Sequence, residues 1–229
     1  MLDKRVNSLA EAVAGVRDGA TILIGGFGNS GVPVELIHAL IDQGARELTV
    51  VSNNAGSGRG SDVARLLETG RVRKIVCSFP RTSGSVVFEE LYAAGRVELE
   101  LVPQGTLSER IRAGGAGIAG FYTPTGAGTR LAEGKEVRRF AGRDCVLERP
   151  IRADVALIKA ARADRWGNLV YHSTARNLGP TMAPAAELTI VQVREIVALG
   201  ALDPESVVTP GIFVDRVVEV ANPQPAGQR

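Results

Sequence analysis

Residues 18–33 read DGATILIGGFGNSGVP: a short apolar run at 21–24 ends in clustered glycines, and Pro33 then opens a helical pattern. Gly25, Gly26, Gly28 and Gly31 carry no Cβ, so this turn accepts positive φ angles and lets a ligand approach the main chain closely. That places a binding loop at a strand tip. Outward from it, strand-like runs recur at 48–52, 74–78 and 97–102, separated by helical patterns at 34–42 and 61–68. Such βαβ alternation predicts an α/β fold, an open, mostly parallel sheet with helices on both faces, whose ligands lie beyond the C-terminal strand ends. The tips read Gly25-Gly26-Phe27-Gly28, Ser52-Asn53-Asn54, Phe79-Pro80-Arg81 and Pro103-Gln104-Gly105. Small and amide-bearing residues thus converge on one rim.

Further strands are expected at 154–159, 169–171, 188–192 and 212–218. Between the halves, RAGGAGIAGFYTPTGAGT (112–129) reads either as a flexible crossover or as tight turns around an apolar patch. Residues 1–221 are expected to form one domain, and the Pro-, Gly- and Gln-rich 222–229 a frayed tail. The formal net charge of +2 over 229 residues, with basic residues scattered, offers no arm or stripe for nucleic acid or membrane. Cys77 and Cys145 join no CxxC or Cys/His spacing, which argues against a disulfide framework or a metal site. The opening MLDKRVNSLAEAV reads as an amphipathic helix rather than a signal peptide, and no apolar run reaches membrane-spanning length. A soluble cytoplasmic protein is the expectation.

Gly26-x-Gly28-x-x-Gly31 matches the dinucleotide-binding pattern directly after a predicted strand. Against it, the second strand ends in uncharged Ser52-Asn53-Asn54 instead of an acidic residue, and Pro33 lacks the N–H that a pyrophosphate-holding helix terminus needs. No Gly-Lys-Ser/Thr closes the turn as a P-loop would. A purely structural turn remains open. His38 and His172 show no partner pattern for a Ser/His/Asp or Cys/His device, and Trp166 fits either an interface contact or a turn packed on the core.

Together, Asp18-Gly19, Ile22 to Ile24, Gly25-Gly26-Phe27, Gly31 and Pro33 resemble the first-subunit signature of family I coenzyme A transferases of the 3-oxoacid type. Ser52-Asn53-Asn54-Ala55-Gly56, Pro103-Gln104-Gly105-Thr106, the ERIRAGG of 109–115, Thr125-Gly126 and Ala175-Arg176-Asn177 are similar to that family in the same order, across almost the whole chain. CSFPRTSGSVVFEELYAAG (77–95), ADRWGNL (163–169) and TPGIFV (209–214) resemble its 3-oxoadipate-using branch rather than the acetoacetate-using one.

The resemblance implies ping-pong transfer of CoA from succinyl-CoA to 3-oxoadipate in aromatic-compound catabolism, with CoA thioesters as substrates and no tightly bound cofactor. It also implies an α2β2 partnership in which the β subunit supplies the nucleophilic glutamate. Glu35, Glu68, Glu89 and Glu90 fall on predicted helices and read as solvated faces. The corresponding chain of an acetoacetate- or other 3-oxoacid-specific transferase, and a non-catalytic acyl-CoA-binding regulator, are the alternatives. On this reading Gln104 supports the oxyanion of acyl transfer, or else caps a helix beginning near Thr106. Asn53 and Asn54 line the site or merely form a turn. Ile24, Gly25, Gly26, Phe27, Gly28, Asn29, Ser30 and Gly31 offer backbone amides to CoA, with Phe27 shielding the thioester or sitting in the core. Arg81 pairs with the distal carboxylate of a dicarboxylic substrate, or is a solvated surface arginine.

Overall fold

The computed structural model describes residues 2–56, 62–82 and 84–224. The strands, in chain order, are β1 (Thr21–Ile24), β2 (Leu48–Asn54), β3 (Val72–Phe79), β4 (Glu98–Leu101), β5 (Phe121–Thr123), β6 (Val137–Phe140), β7 (Arg143–Glu148), β8 (Ala153–Asp164), β9 (Leu169–Val170), β10 (Ala186–Val197) and β11 (Arg216–Glu219). The α-helices are α1 (Leu9–Ala12), α2 (Val34–Gln43), α3 (Val63–Glu68), α4 (Val87–Ala93), α5 (Gln104–Gly115) and α6 (Gly179–Met182). The main sheet runs β11-β10-β8-β1-β2-β3-β4, with every neighbour on this path parallel. β9 adds to β8 in the antiparallel sense.

Both faces of the central strands are covered, so β1, β2 and the middle of β8 read as continuous apolar runs, whereas the edge strand β4 alternates. Ile22, Ile24, Val50, Ile75 and Leu157 bury one face against α2, α3 and α4 residues such as Leu36, Leu40, Leu66 and Phe88. Leu23, Val51, Val76, Ala156 and Val191 bury the other with Leu107 and Ile111 of α5 and Met182 of α6. The chain proceeds from β1 outward to β4, then returns to place β8 on the opposite side of β1. Strand order therefore reverses between β1 and β8, where the rim of such a sheet opens a crevice. The glycine-rich loop leaves β1 there.

The expected α/β architecture holds, with differences in detail. α1 is one turn, not a helix over the whole N-terminus, because Arg5 pairs with Val217 as an isolated bridge and holds the preceding residues extended. The run at 212–218 divides into a 3₁₀ turn, Gly211–Phe213, and the strand β11. Residues 112–129 are neither crossover nor simple turns: they finish α5 and supply β5, which joins β7 and β6 in a separate three-stranded antiparallel sheet. Of the expected frayed tail, 225–229 lie outside the described residues, while the Gln224 N–H donates to the Glu35 carboxylate. Among the described residues no helix is long and apolar enough to cross a membrane.

α2 opens at Pro33 with no side-chain cap of its own. Its buried Leu36 N–H instead donates to Gln192 Oε1 of β10 at 3.2 Å, and Gln192 Nε2 donates to Glu35 at 2.5 Å. Glu35 is therefore half-buried and bonded rather than a solvated helix face. A glutamine from across the sheet satisfies a donor that the helix leaves orphaned.

An ionic relay joins the edge of the main sheet to the small one. Glu100 accepts from Lys74 at 2.5 Å and from Arg110 at 2.8 Å. Arg110 also approaches Glu148, which accepts from Lys135 at 2.6 Å. Burial pushes the Glu100 carboxyl up, but the bonds from Lys74 and Arg110 outweigh it and hold the group below the usual carboxylate range. A group depressed in the folded state stabilises above its unfolded pKa and loses that contribution as pH falls through the folded one. Glu100→Gln should lower stability by about 1 kcal/mol at pH 7. In urea unfolding that gap should narrow below about pH 4, and a gap independent of pH would contradict the assignment.

Candidate functional site

The glycine loop is a tight reversal. The Phe27 N–H donates to Ser30 O and the Ser30 N–H to Phe27 O, both at 3.0 Å, so Gly28 and Asn29 form a two-residue tip. Ile24 is fully buried, and Gly25 N donates to Leu157 O of β8 at 2.9 Å, which carries the sheet pairing into the loop. At Gly26, with φ at +128°, a Cβ would meet Val32 Cγ2 at 2.6 Å. At Gly31, with φ at +74°, a Cβ would lie 2.3 Å from Ala175 O. Side chains are excluded at both positions by conformation and by space.

Asn177 fixes this loop from the other side of the switch point. Its Oδ1 accepts the Gly26 N–H at 3.2 Å and the Leu178 N–H at 2.7 Å, while Nδ2 donates to Ser30 O at 3.0 Å and Ala175 O at 3.1 Å. One amide thereby ties both ends of the glycine turn to the segment following β9. Asn177 has φ +26° and ψ −115°, an uncommon conformation for a non-glycine residue, kept because the surrounding bonds over-determine it. Sequence reasoning did not select Asn177 as a site residue; its only signal was the Ala175-Arg176-Asn177 string.

Phe27 stands 49% exposed, so it belongs to the site rim and not to the core. It borders a cleft of about 780 Å³ lined by Ser30, Tyr171, Ser173, Thr174, Arg176, Asn177 and Val208. The wall opposite the loop exists because β8 and β10 stay paired as far as Asp164 and Val197, whereas β1 pairs with β8 only up to Leu157. This overhanging arm carries β9 and Tyr171 above the rim. Burial pushes the Tyr171 phenol up to about 12 despite its hydrogen bond with Thr209 Oγ1 at 2.8 Å, so it stays protonated at neutral pH.

The remaining candidates occupy the same C-terminal rim at neighbouring strands. Asn53 and Asn54 end β2 and are buried. Asn54 Oδ1 accepts the Gly56 N–H at 2.9 Å and so performs a turn-forming role, whereas Asn53 accepts from Ser78 Oγ at its carbonyl (3.0 Å) and at Oδ1 (3.2 Å). Arg81, beyond β3, donates to Glu89 at 2.6 Å with its side chain 79% exposed. Gln104 is the first residue of α5 and exposed, and the helix starts at Pro103 with no side-chain cap. The helix begins two residues earlier than expected, so Gln104 is no cap. A Cβ on Gly105 would meet nothing within 4 Å, which leaves the first turn of α5 open on that side. From β1 to β4 is three strand spacings, about 14 Å; the rim is a broad wall, not a closed pocket.

Residues 6–220 match the family described as coenzyme A transferase. The chain belongs to the coenzyme A transferase family. It is 62% identical over 220 residues to one subunit of the 3-oxoadipate CoA-transferase of Acinetobacter baylyi, spanning 96% of each chain, and 60% identical over 221 residues to the Pseudomonas putida protein of the same name, spanning 96% of this chain and 95% of that one. In fold it is similar to an acyl-CoA transferase of Escherichia coli O157:H7 solved as a thioester complex with CoA, with a TM-score of 0.84 and 24% identity over 99% of this chain. The chain spans about half the length of that protein (49%). Membership in a transferase family that acts on CoA thioesters removes the basis for the dinucleotide reading of Gly26-x-Gly28-x-x-Gly31. The occupied N-terminus of α2, where Gln192 takes the Leu36 N–H, agrees with that.

Asn177→Ala would leave the Gly26 and Leu178 donors without their acceptor, at a cost of about 1–3 kcal/mol for each donor left buried. Transferase activity of the assembled enzyme should fall about 10²-fold, as misplacement of a loop by an ångström can do. Gly31→Ala should do the same through its collision with Ala175. Steady-state rates and thermal melts check both, and a wild-type rate for either variant would remove the loop from the site.

Proposed function

We propose that this chain is the α subunit of a CoA-transferase that moves CoA from succinyl-CoA to 3-oxoadipate by a ping-pong mechanism. A β subunit supplies the nucleophilic glutamate, in an α2β2 cytoplasmic enzyme without a tightly bound cofactor. Support for the substrate comes from the two bacterial relatives of that name, which align along nearly their whole length. The observation that carries the division of labour is the character of the rim. Its glycine loop, Asn53, Asn54 and Gln104 are uncharged, while Glu35, Glu68 and Glu89 sit on helices and are engaged by Gln192, Arg65 and Arg81.

In this reaction a carboxylate oxygen attacks the thioester carbonyl, expelling CoA thiolate and leaving a mixed anhydride. The thiolate then attacks the enzyme's own acyl carbon, releasing succinate and leaving an enzyme–CoA thioester. 3-Oxoadipate reverses both steps. Each addition places negative charge on a former carbonyl oxygen, and donors fixed in a water-poor cleft stabilise it. Gln104 Nε2 is a donor of that kind, and Phe27 covers the thioester from water. Ile24 to Gly31 shape the backbone surface beside it, the N–H groups of Gly25, Gly26, Phe27 and Ser30 holding the loop itself, and Asn53 and Asn54 shape the floor.

Co-expression with a candidate second subunit, followed by assay with succinyl-CoA and several oxo acids, tests the reading. Activity should require both chains and should favour 3-oxoadipate over acetoacetate. Gln104→Ala should lower kcat by about 10²- to 10³-fold, the usual effect of removing one oxyanion donor. Because Gln104 is exposed, stability should change by less than about 0.5 kcal/mol. Turnover by this chain alone, or ligand binding by it with no gain on assembly, would contradict the proposal, the latter favouring an acyl-CoA-binding regulator.

A further inference from the structure

Among the described residues, the cleft beside Phe27 is lined by one charged side chain. Arg176 shares it with Ser30, Ser173, Thr174 and Tyr171, with no carboxylate among the described lining residues. It has neither ion pair nor hydrogen-bond partner among the described residues, although most carboxylates around the rim are taken: Glu89 by Arg81, and Glu100 by Lys74 and Arg110. Arg176 is exposed at the cleft, and an unpaired guanidinium that shares a cleft with hydroxyl groups is a receptor for an anion.

Two anions are available to a transferase of this kind, the second carboxylate of a dicarboxylic acid and the phosphates of CoA. The cleft is bounded by Phe27 and Ser30 of the glycine loop, the same loop that flanks the reacting thioester under the function proposed above. A carboxylate a few bonds from the reacting carbon reaches across this cleft; phosphates at the far end of the pantetheine arm do not. We propose that Arg176 binds the distal carboxylate of the dicarboxylic substrates, both succinyl-CoA and the acceptor acid, and thereby sets the preference for diacids. This inference rests on the proposed transferase reaction and moves to Arg176 the role that the sequence had offered to Arg81, whose guanidinium is engaged by Glu89.

The test uses the assembled two-subunit enzyme, wild type, Arg176→Ala and Arg176→Lys, and reads kcat/KM. Acceptors are 3-oxoadipate and 3-oxohexanoate, which differ only in the distal carboxylate; donors are succinyl-CoA and butyryl-CoA, which differ in the same way. Arg176→Ala should lose about 10²-fold on each diacid, as for one charge-assisted pair, and change little on each monoacid. Arg176→Lys should keep part of the preference, since it retains charge but not the planar fork. Equal losses on diacid and monoacid would overturn the proposal and make Arg176 a support for the loop. Equal losses on both CoA donors, with both free acids unaffected, would overturn it in favour of phosphate binding. A wild-type enzyme inactive on 3-oxoadipate, with Arg176→Ala still selectively impaired on succinyl-CoA, would overturn the acceptor assigned above and leave Arg176 in its role.

Discussion

The side-chain amide of Asn177 is the constraint on which the site depends. A loop of glycines at a strand tip has many accessible conformations, and without a fixed partner it would lose its shape and the aim of its amides. Asn177 accepts from Gly26 and donates to Ser30, so the turn between them is closed at both ends from a different segment of the chain. That segment is itself fixed by the paired overhang of β8 and β10 and by the Tyr171–Thr209 hydrogen bond. The rigid sheet thus determines a flexible-looking sequence through one amide, at the point where strand order reverses and the rim opens.

Catalysis by acyl transfer asks for donors where negative charge develops and for a surrounding low in water. Under the proposed function the rim meets the first demand with groups that carry no charge of their own, and the nucleophile comes from the second subunit. The same economy explains the pairing of nearby acids. Glu35 is bonded by Gln192, Glu89 by Arg81 and Glu100 by two cations, so the wall presents few free carboxylates to repel acidic substrates.

The sheet was legible in the sequence because strands buried on both faces must be built from apolar runs, and those of β1 to β3 lie between helical patterns with glycine, asparagine or proline at their tips. The small sheet was not: all four residues of β6 are exposed and two of them are arginines, so no apolar period marks it. The outer halves of β8 and β10 escaped notice for a different reason. Arg162, Arg194 and Glu195 interrupt their apolar runs, although Ala160, Ala163 and Val193 are buried in the core. The glycine loop, Asn53, Asn54 and Gln104 were selected as candidates from strand tips and from resemblance. The roles of Asn177 and Gln192 were hidden, since each depends on a partner more than 150 positions away. Arg81 and Arg176 show the limit most plainly: both arginines follow strands, and only the fold shows which one already has a carboxylate.

Under the proposed function this chain should never carry the covalent intermediate itself. Incubating the assembled enzyme with succinyl-CoA, reducing the enzyme–CoA thioester with borohydride and mapping the modified glutamate by mass spectrometry tests this directly. The account predicts the reduced residue in the second subunit, with an unmodified peptide map for this chain; a modified glutamate among residues 1–229 of this chain would contradict it.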